Sequence, residues 1–216
     1  MRWTIHGERS LYDSEWMRLC LADVELPDGH RFEHHVVRFP QGAAGTVIRD
    51  PERGLLLMWR HRFITDTWGW EIPAGRIDPG EAPDVAAARE ALEETGWRPG
   101  ALTRLGTYAP SNGSTDQLFH IYWADGATHV GDPVDAYESE RVAWVPVDEV
   151  RRLIAEGEVH DGLSLTGLLW FLAFVEPTTA MPLPPTPPAP SRPDDPDDEA
   201  LKVPSAAALA PLRRGQ

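Results

Sequence analysis

The stretch from Gly75 to Trp97, which reads GRIDPGEAPDVAAAREALEETGW, most strongly constrains the fold of this 216-residue chain. Its second half fits an α-helix when successive residues are placed at 100° intervals. Pro83 suits the first helical turn, where a missing N–H costs no hydrogen bond, and Gly96 suits the left-handed residue that ends a helix. The stretch therefore predicts a helix bounded by these two residues.

The two sides of this helix differ in character. Val85, Ala88 and Leu92 fall on one side, which we expect to be its apolar face. Glu90 and Glu94 lie one turn apart, about 40° from each other, on the side roughly opposite Leu92.

The acidic side of the helix opposes the helix dipole. Glu90, Glu93 and Glu94 crowd the last turn and a half, at the negative end of the dipole, and like charges four residues apart destabilise an isolated helix. One explanation is that these glutamates form a solvated acidic face that has no specific function. A bound divalent cation is another, because Mg²⁺ requires several carboxylate oxygens at one place. We favour the cation, since the seven charged and glycine residues of this stretch should recur at these offsets by chance in about one chain per million.

The pattern G-x5-E-x7-R-E-x2-E-E-x-G in this stretch resembles the signature of the Nudix hydrolases. It is met at Gly75, Glu81, Arg89, Glu90, Glu93, Glu94 and Gly96. Ala91 stands where a larger aliphatic residue is common, and Trp97 closes the motif, so the departures concern packing rather than metal binding. The resemblance implies an α/β fold of the Nudix type, an α/β/α sandwich with a mixed β-sheet, and metal-assisted hydrolysis of a diphosphate linkage.

The resemblance also assigns roles to individual residues. Glu90 and Glu94 would be direct metal ligands with Glu93 beside them, and the backbone carbonyl of Ala74 would complete the metal's ligand shell. The metal would be Mg²⁺, with Mn²⁺ as a substitute. Arg89 would orient Glu93, and both are counted with the catalytic residues, although a purely structural role for Arg89 fits equally well.

Candidate substrate-binding residues precede the glycine. Arginine side chains suit a negatively charged diphosphate because their planar fork can donate two hydrogen bonds to it. Arg62 follows an apolar strand, at the position where enzymes resembling ADP-ribose pyrophosphatases carry a substrate-binding arginine, and Arg60 lies one strand period away. Trp70 could stack on a base, although core packing explains it equally well.

The catalytic base is assigned by resemblance to a glutamate on the loop before the last strand. Glu138 is our choice on that loop, with Glu140 in reserve, and Asp116 on an earlier turn-rich loop is a third candidate. Each of these carboxylates could instead be a solvated surface group.

The overall charge limits the classes of partner. A net charge of −14 argues against non-specific binding of nucleic acid or of an anionic membrane, since both require a basic surface. The one cysteine, Cys20, excludes an internal disulfide, fits a reducing compartment and should pack as a small hydrophobic residue. No apolar run reaches transmembrane length. We therefore expect a cytoplasmic enzyme that acts on a small molecule.

The composition divides the chain into three parts. Residues 1–40 predict an N-terminal β-sheet unit, because strand-like runs flank the turn Pro27-Asp28-Gly29. Residues 41–176 hold the strand and helix patterns of the Nudix hydrolase domain. Residues 177–216 are rich in proline and predict a disordered tail. In the resembling enzymes such an N-terminal sheet helps to form a homodimer.

Two helices are expected after the last strand. Asp148 is placed to cap the first, which we expect to end at Glu156. The second runs from about Ser164 to Val175, and four leucines form its expected buried stripe. They are Leu165, Leu168, Leu169 and Leu172.

The substrate is narrowed by three features that resemble the ADP-ribose pyrophosphatase branch. They are the N-terminal sheet, the approach from Trp70 to Gly75, and Pro110. Pro110 lies fourteen residues after Gly96, which is slightly closer than the spacing associated with a preference for ADP-ribose. The identity of the sugar in the substrate is therefore not determined. We expect a nucleoside diphosphate derivative of the ADP-ribose or nucleotide-sugar type, cut to a nucleotide and a sugar phosphate. A nucleoside triphosphate or dinucleotide is the alternative substrate, and a nucleotide-binding regulatory module is the alternative class.

Overall fold

A computed structural model describes residues 1–134 and 139–176 of the chain. The predictions for Glu138 and for the proline-rich segment lie outside these described residues. The strands are β1 (Thr4–Asp13), β2 (Arg18–Glu25), β3 (Arg31–Arg38), β4 (Ala43–Asp50), β5 (Gly54–Arg62), β6 (Thr67–Glu71), β7 (Ala74–Arg76), β8 (Trp97–Pro99), β9 (Leu102–Tyr108), β10 (Phe119–Asp125), β11 (Ala127–His129) and β12 (Arg141–Val145). The helices are α1 (Pro83–Thr95), α2 (Val147–Glu156) and α3 (Gly162–Phe174).

A seven-stranded mixed sheet forms the centre of the fold. Its order is β12-β5-β4-β10-β9, with β6 paired to β5 and β7 paired to β4. Strand β10 runs parallel to β4, whereas the pairs of β5 with β12, β4 and β6 are antiparallel. The predicted mixed sheet is confirmed.

The helices cover both faces of this sheet. Successive residues of β5 point to opposite faces, so Leu55 and Leu57 pack in the cluster that includes buried residues of α2 and α3. Leu56 packs on the other face with Ile48 and with Ala91 of α1. The arrangement is therefore the predicted α/β/α sandwich, with α1 alone on its side among the described helices.

The face that α1 buries is not the one predicted. Ala87 and Ala91 are fully buried and Glu94 is 3% exposed, whereas Val85 is 55% exposed and Leu92 is half-buried. The prediction ranked side chains by hydrophobicity alone. Alanines allow the helix to approach the sheet closely, and the glutamates on the same side find arginine partners there, so the buried face is the small and acidic one.

The observed ends of α1 and α2 can be compared with the residues predicted to begin or end them. Pro83 is the first residue of α1, and Gly96 ends it in the left-handed region with φ of 73°, donating its N–H to the carbonyl of Leu92. Both predictions are confirmed. Asp148 does not cap α2, because that helix begins one residue earlier, after Pro146, and has no side-chain cap.

The buried side of α3 was predicted in part. Leu168 is fully buried and Leu172 is 7% exposed, as expected, and Phe171 joins them. Leu169 is 42% exposed, so its place in the predicted stripe was wrong. Asp161 caps the helix by accepting the N–H of Ser164 at 2.7 Å.

The N-terminal strands form a separate three-stranded antiparallel sheet in the order β1-β2-β3. Its third strand contacts the main domain, where Val37 donates its N–H to the carbonyl of Ser114 at 2.8 Å. Cys20 is 2% exposed and packs in this unit as predicted. Every residue of β1 is exposed. In the described part of the chain, no helix combines the length and apolarity needed to cross a membrane.

Candidate active site

Strand β7 and helix α1 meet at Gly75, where the carboxylate of Glu90 lies directly on the backbone. A Cβ added to Gly75 would lie 2.2 Å from Cδ of Glu90 and 2.3 Å from each of its carboxylate oxygens. These separations are far below van der Waals contact, so any other residue at position 75 would take the place of that carboxylate. The glycine that opens the motif is therefore required by the position of Glu90.

Arg89 joins the loop before α1 to the glutamates of the helix. Its Nε and Nη2 donate to the two carboxylate oxygens of Glu81 at 3.0 and 2.8 Å, and Nη2 also donates to the carbonyl of Arg76. Its Nη1 donates to Glu90 at 2.7 Å and to Glu93 at 3.0 Å. Hydrogen bonding from Arg89 holds the pKa of Glu81 at about 2. One guanidinium thus fixes the loop and orients two carboxylates.

Glu94 is the most buried carboxylate of the helix. Its Oε1 accepts from Nη1 of Arg60 at 2.7 Å and its Oε2 accepts the N–H of Ala74 at 2.8 Å. Burial raises its pKa to about 7, against the opposing influence of Arg60 and the Ala74 N–H, and the charge of Glu90 raises it further. The most buried carboxylate of α1 therefore has a pKa close to neutral pH.

The backbone of Ala74 faces α1 on the same side as these carboxylates. On either side of it, the carbonyl of Pro73 accepts from Thr46 and the N–H of Ile77 donates to Gly42, so these groups face β4. The N–H of Ala74 instead donates to Glu94. Because the N–H and C=O of one strand residue point to the same side, the Ala74 carbonyl also faces away from β4.

Exposure rises along the acidic side of α1. The side chains of Glu94, Glu90 and Glu93 are 3%, 15% and 36% exposed. Among the described residues no group of three acidic, histidine or cysteine side chains is already arranged as a metal cage, and arginines bind all three glutamates. The donor set still fits a hard divalent cation, which takes carboxylate and carbonyl oxygens.

Arg62 extends from the end of β5 into a groove beside this acidic cluster. Its Nε and Nη2 donate to the two oxygens of Glu71 at 2.9 and 2.6 Å, while 48% of its side chain stays exposed. It lines a cavity of about 570 Å³ that also contacts His160, and a second of about 580 Å³ that reaches Ala74 and Gly75. The groove thus connects Arg62 with the backbone beside Glu90.

Arg60 and Trp70 occupy different places from Arg62. Arg60 lies at the inner wall of the groove, with 5% of its side chain exposed and its guanidinium on Glu94. The side chain of Trp70 lies on the opposite face of β6 from that of Glu71. It is 7% exposed and packs against Trp59. The structure does not bring Trp70 to the glutamates of α1.

Models of known protein families match two parts of this chain. Residues 39–164 match the model of the NUDIX domain. The chain belongs to the Nudix family. The resemblance inferred from its glutamate-rich helix is thereby confirmed. Residues 3–37 match a second model, the nucleoside diphosphate sugar hydrolase N-terminal domain.

Two relatives and one solved structure that resemble this chain carry the names of hydrolases or pyrophosphatases. The CMP-5'-(N-acetyl-N-hydroxy-3-aminopropyl)phosphonate hydrolase of Streptomyces rubellomurinus is 47% identical over 169 residues, which are 78% of this chain and 82% of that protein. The ADP-ribose pyrophosphatase of Bacillus subtilis is 28% identical over 72% of this chain and 84% of its own length. A crystal structure of ADP compounds hydrolase matches with a TM-score of 0.73 and 20% identity, covering 82% of this chain and 95% of that one. That structural match supports the Nudix fold.

The base of this Nudix site is not located by the described residues. Glu138 lies outside them. Asp116 is an anchor for the N-terminal sheet, because its carboxylate accepts the N–H of Phe39 at 3.0 Å and a hydrogen bond from Arg38. Glu140 is exposed, and its N–H donates to the carbonyl of Trp59.

Two residues of the groove were not predicted. Glu71 is buried and forms an ion pair with Arg62. Its side chain points to the opposite face of β6 from Trp70, and this alternation was the sequence signal available for it. Arg76 lines the cavity beside Gly75, and its guanidinium lies 4.4 Å from the ring centroid of Trp16. Nη1 of Arg76 is buried without a hydrogen-bond partner among the described residues. No local sequence signal pairs Arg76 with a tryptophan sixty residues away.

Proposed function

We propose that this Nudix hydrolase uses Mg²⁺ to cleave the diphosphate-type linkage of a nucleoside diphosphate derivative. Glu90, Glu94 and the carbonyl of Ala74 would hold the cation, and Mn²⁺ would substitute for it. The main support is that Glu94 accepts the Ala74 N–H and Glu90 lies on the backbone of the adjacent Gly75, beside a groove that also presents Arg62.

Each residue has a separate part in this proposal. When bound, the cation supplies Lewis-acid polarisation of a phosphoryl group. Arg62, already fixed by Glu71, presents N–H donors toward the diphosphate, and its pKa is raised by that carboxylate, so it stays charged. Arg89 fixes the orientation of Glu90 and of the more exposed Glu93.

The substrate class follows from the relatives. One acts on a CMP-linked phosphonate and another is named for ADP-ribose, and both substrates join a nucleotide to a second group. We propose the same class here, with hydrolysis to a nucleotide and a sugar phosphate or phosphonate. The 47% identity favours a cytidine nucleotide over an adenosine nucleotide as the first substrate to test.

A substrate panel tests this proposal. The full chain would be incubated with Mg²⁺ and CMP-linked phosphonate, ADP-ribose, GDP-mannose, a nucleoside triphosphate or a dinucleotide, with products separated by chromatography. We expect turnover of a compound from the first three. Turnover of the triphosphate or dinucleotide alone would contradict the proposal.

The Glu94→Gln variant is the control for the panel, because it keeps the shape of the side chain and removes its negative charge. We expect it to fold and to lose turnover by a factor of at least about a hundred. Equal turnover of parent and variant would show that the acidic cluster is not the reaction centre.

Two finer features belong to the same proposal. We propose that the chain forms a homodimer through its N-terminal sheet, supported by the uniform exposure of β1. We also propose a cytoplasmic location, supported by a single cysteine that is buried and reduced. The division into an N-terminal sheet unit, a Nudix domain and a proline-rich tail is retained as part of the proposal.

A further inference from the structure

Arg60 is a buried cation at the inner end of the groove. It extends from β5 toward α1, and its Nη1 lies 2.7 Å from Oε1 of Glu94. Only 5% of the Arg60 side chain and 3% of the Glu94 side chain are exposed. Charges buried to this extent are retained where each neutralises the other, because an unpaired one carries a large desolvation cost.

Glu71 extends this pair toward the groove. It accepts both hydrogen bonds of the Arg62 fork, and its Oε2 lies 3.9 Å from Nη1 of Arg60. Arg62, Glu71, Arg60 and Glu94 therefore form a row of alternating charge that runs from the exposed arginine to the helix. Without Arg60, the carboxylates of Glu71 and Glu94 would share a buried space with less neutralising charge.

We propose that Arg60 is a positioning residue that holds the carboxylate of Glu94 in the orientation required for metal binding, rather than a residue that binds substrate. This inference rests on the proposed function, which assigns Glu94 to the metal. Arg60 fixes one oxygen of Glu94 and the N–H of Ala74 fixes the other. A carboxylate accepts at about four lone-pair positions, so two remain for a cation.

The consequence is a specific change in metal affinity. Replacing a hydrogen-bonding partner of a metal ligand typically weakens metal binding by about 10- to 100-fold. Loss of Arg60 would leave Oε1 of Glu94 without its donor and free to turn away from Glu90. The proposed contact with substrate is assigned to Arg62 instead, whose side chain is about ten times more exposed, 48% against 5%.

The test compares Arg60→Gln and Arg60→Lys in the full chain. Binding of Mn²⁺ and of Mg²⁺ alone would be measured by titration calorimetry, after thermal unfolding has shown that each variant is folded. We expect Arg60→Gln to bind metal about tenfold more weakly, or worse, and Arg60→Lys to recover part of that loss because it keeps the charge.

Steady-state kinetics distinguish a positioning role of Arg60 from a general loss of folded enzyme. With the substrate that the parent hydrolyses best, we expect kcat of Arg60→Gln to fall at limiting Mg²⁺ and to return toward the parent value as Mg²⁺ is raised. KM for the substrate should change less than about twofold. The thermal unfolding measured beforehand on each variant excludes a folding defect as the cause of the lower kcat.

Arg62→Gln and Arg104→Gln are the matched controls. Arg62→Gln removes an arginine from the same face of the same strand, and we expect a higher KM with little change in metal affinity. Arg104 lies on β9 and donates to Thr107, so its replacement should change neither quantity.

The results decide between the two proposals separately. If the parent hydrolyses its substrate with Mg²⁺, and both Arg60 variants bind metal as tightly as the parent, the positioning role is overturned while the proposed function stands. A rise in KM at unchanged metal affinity would likewise overturn it and return Arg60 to substrate binding. Should Arg60→Gln fail to fold, the same measurements on Arg60→Lys decide. A parent that neither binds Mg²⁺ nor hydrolyses any compound overturns the proposed function and this inference with it.

Discussion

Glu94 is the residue at which burial and charge oppose each other most strongly. Its pKa of about 7 stands above the reference value of 4.5 because burial outweighs the stabilisation of the charged form by Arg60 and by the Ala74 N–H. Between these two pH values the folded chain holds a proton that the unfolded chain has released. The free energy of unfolding should therefore decrease as pH rises from about 4.5 to about 7.

We expect this single group to cost the metal-free protein up to about 3 kcal/mol over that interval. Urea unfolding of the parent and of Glu94→Gln, with chelator at pH 4.5 and pH 7.5, isolates the effect, because other titrating groups cancel in the difference. Saturating Mg²⁺ should remove the loss, since it binds the ionised carboxylate. A difference between parent and variant that stays constant with pH would contradict the expectation.

At the scale of elements, the contact between β7 and α1 depends on a single missing side chain. A methyl group at position 75 would lie 2.2 Å from Cδ of Glu90, but the group it meets is the end of a flexible side chain. We expect Gly75→Ala to displace the Glu90 carboxylate and to lower metal-dependent turnover at least about tenfold. The free energy of unfolding should change by no more than about 1 kcal/mol.

The control for this change is Gly113→Ala, where an added Cβ meets nothing within 4 Å. Steady-state turnover and urea unfolding would be measured on both variants. If Gly75→Ala kept the turnover of the parent, Glu90 would not need its place on the backbone. If both variants lost turnover equally, the loss would not report on this contact.

The same helix shows how far the sequence could predict the fold. Pro83 and Gly96 act through backbone conformation, which depends on the residue itself, and both ends of α1 were predicted correctly. The buried face depends on what lies opposite, and Arg60 arrives there from a strand thirty-four residues away. Hydrophobicity along α1 alone therefore selected Val85, which is 55% exposed.

The residues of the candidate site also fall into two groups, those that the sequence could place together and those that it could not. The motif from Gly75 to Gly96 places Glu90, Glu93 and Arg89 by fixed spacing within one loop and one helix, so sequence sufficed to group them. Glu71 and Arg76 join the site through strand pairing and through the N-terminal sheet. Alternation with Trp70 indicates the face of β6 on which Glu71 lies, but no local pattern indicates the partner of either residue.

At the scale of the whole molecule, the outer strand of the N-terminal sheet is unusually exposed. All ten residues of β1 are exposed, and the segment presents Ile5, Leu11 and Tyr12 with 59%, 47% and 56% of their surface open. An edge strand of this length offers unpaired backbone groups and apolar side chains to a second chain. Because this sheet also places Trp16 on Arg76 beside the groove, its assembly bears on the site itself.

We expect the parent to have twice its chain mass of 24.0 kDa in solution, measured by light scattering coupled to size exclusion. The double substitution Ile5→Glu and Leu11→Glu should shift it to the mass of one chain, since two buried charges per copy would have no partner. Val85→Glu is the matched control, because it places the same charge on an exposed apolar position of α1. A parent that elutes as one chain, or a double variant that keeps the mass of two, would rule out assembly through β1.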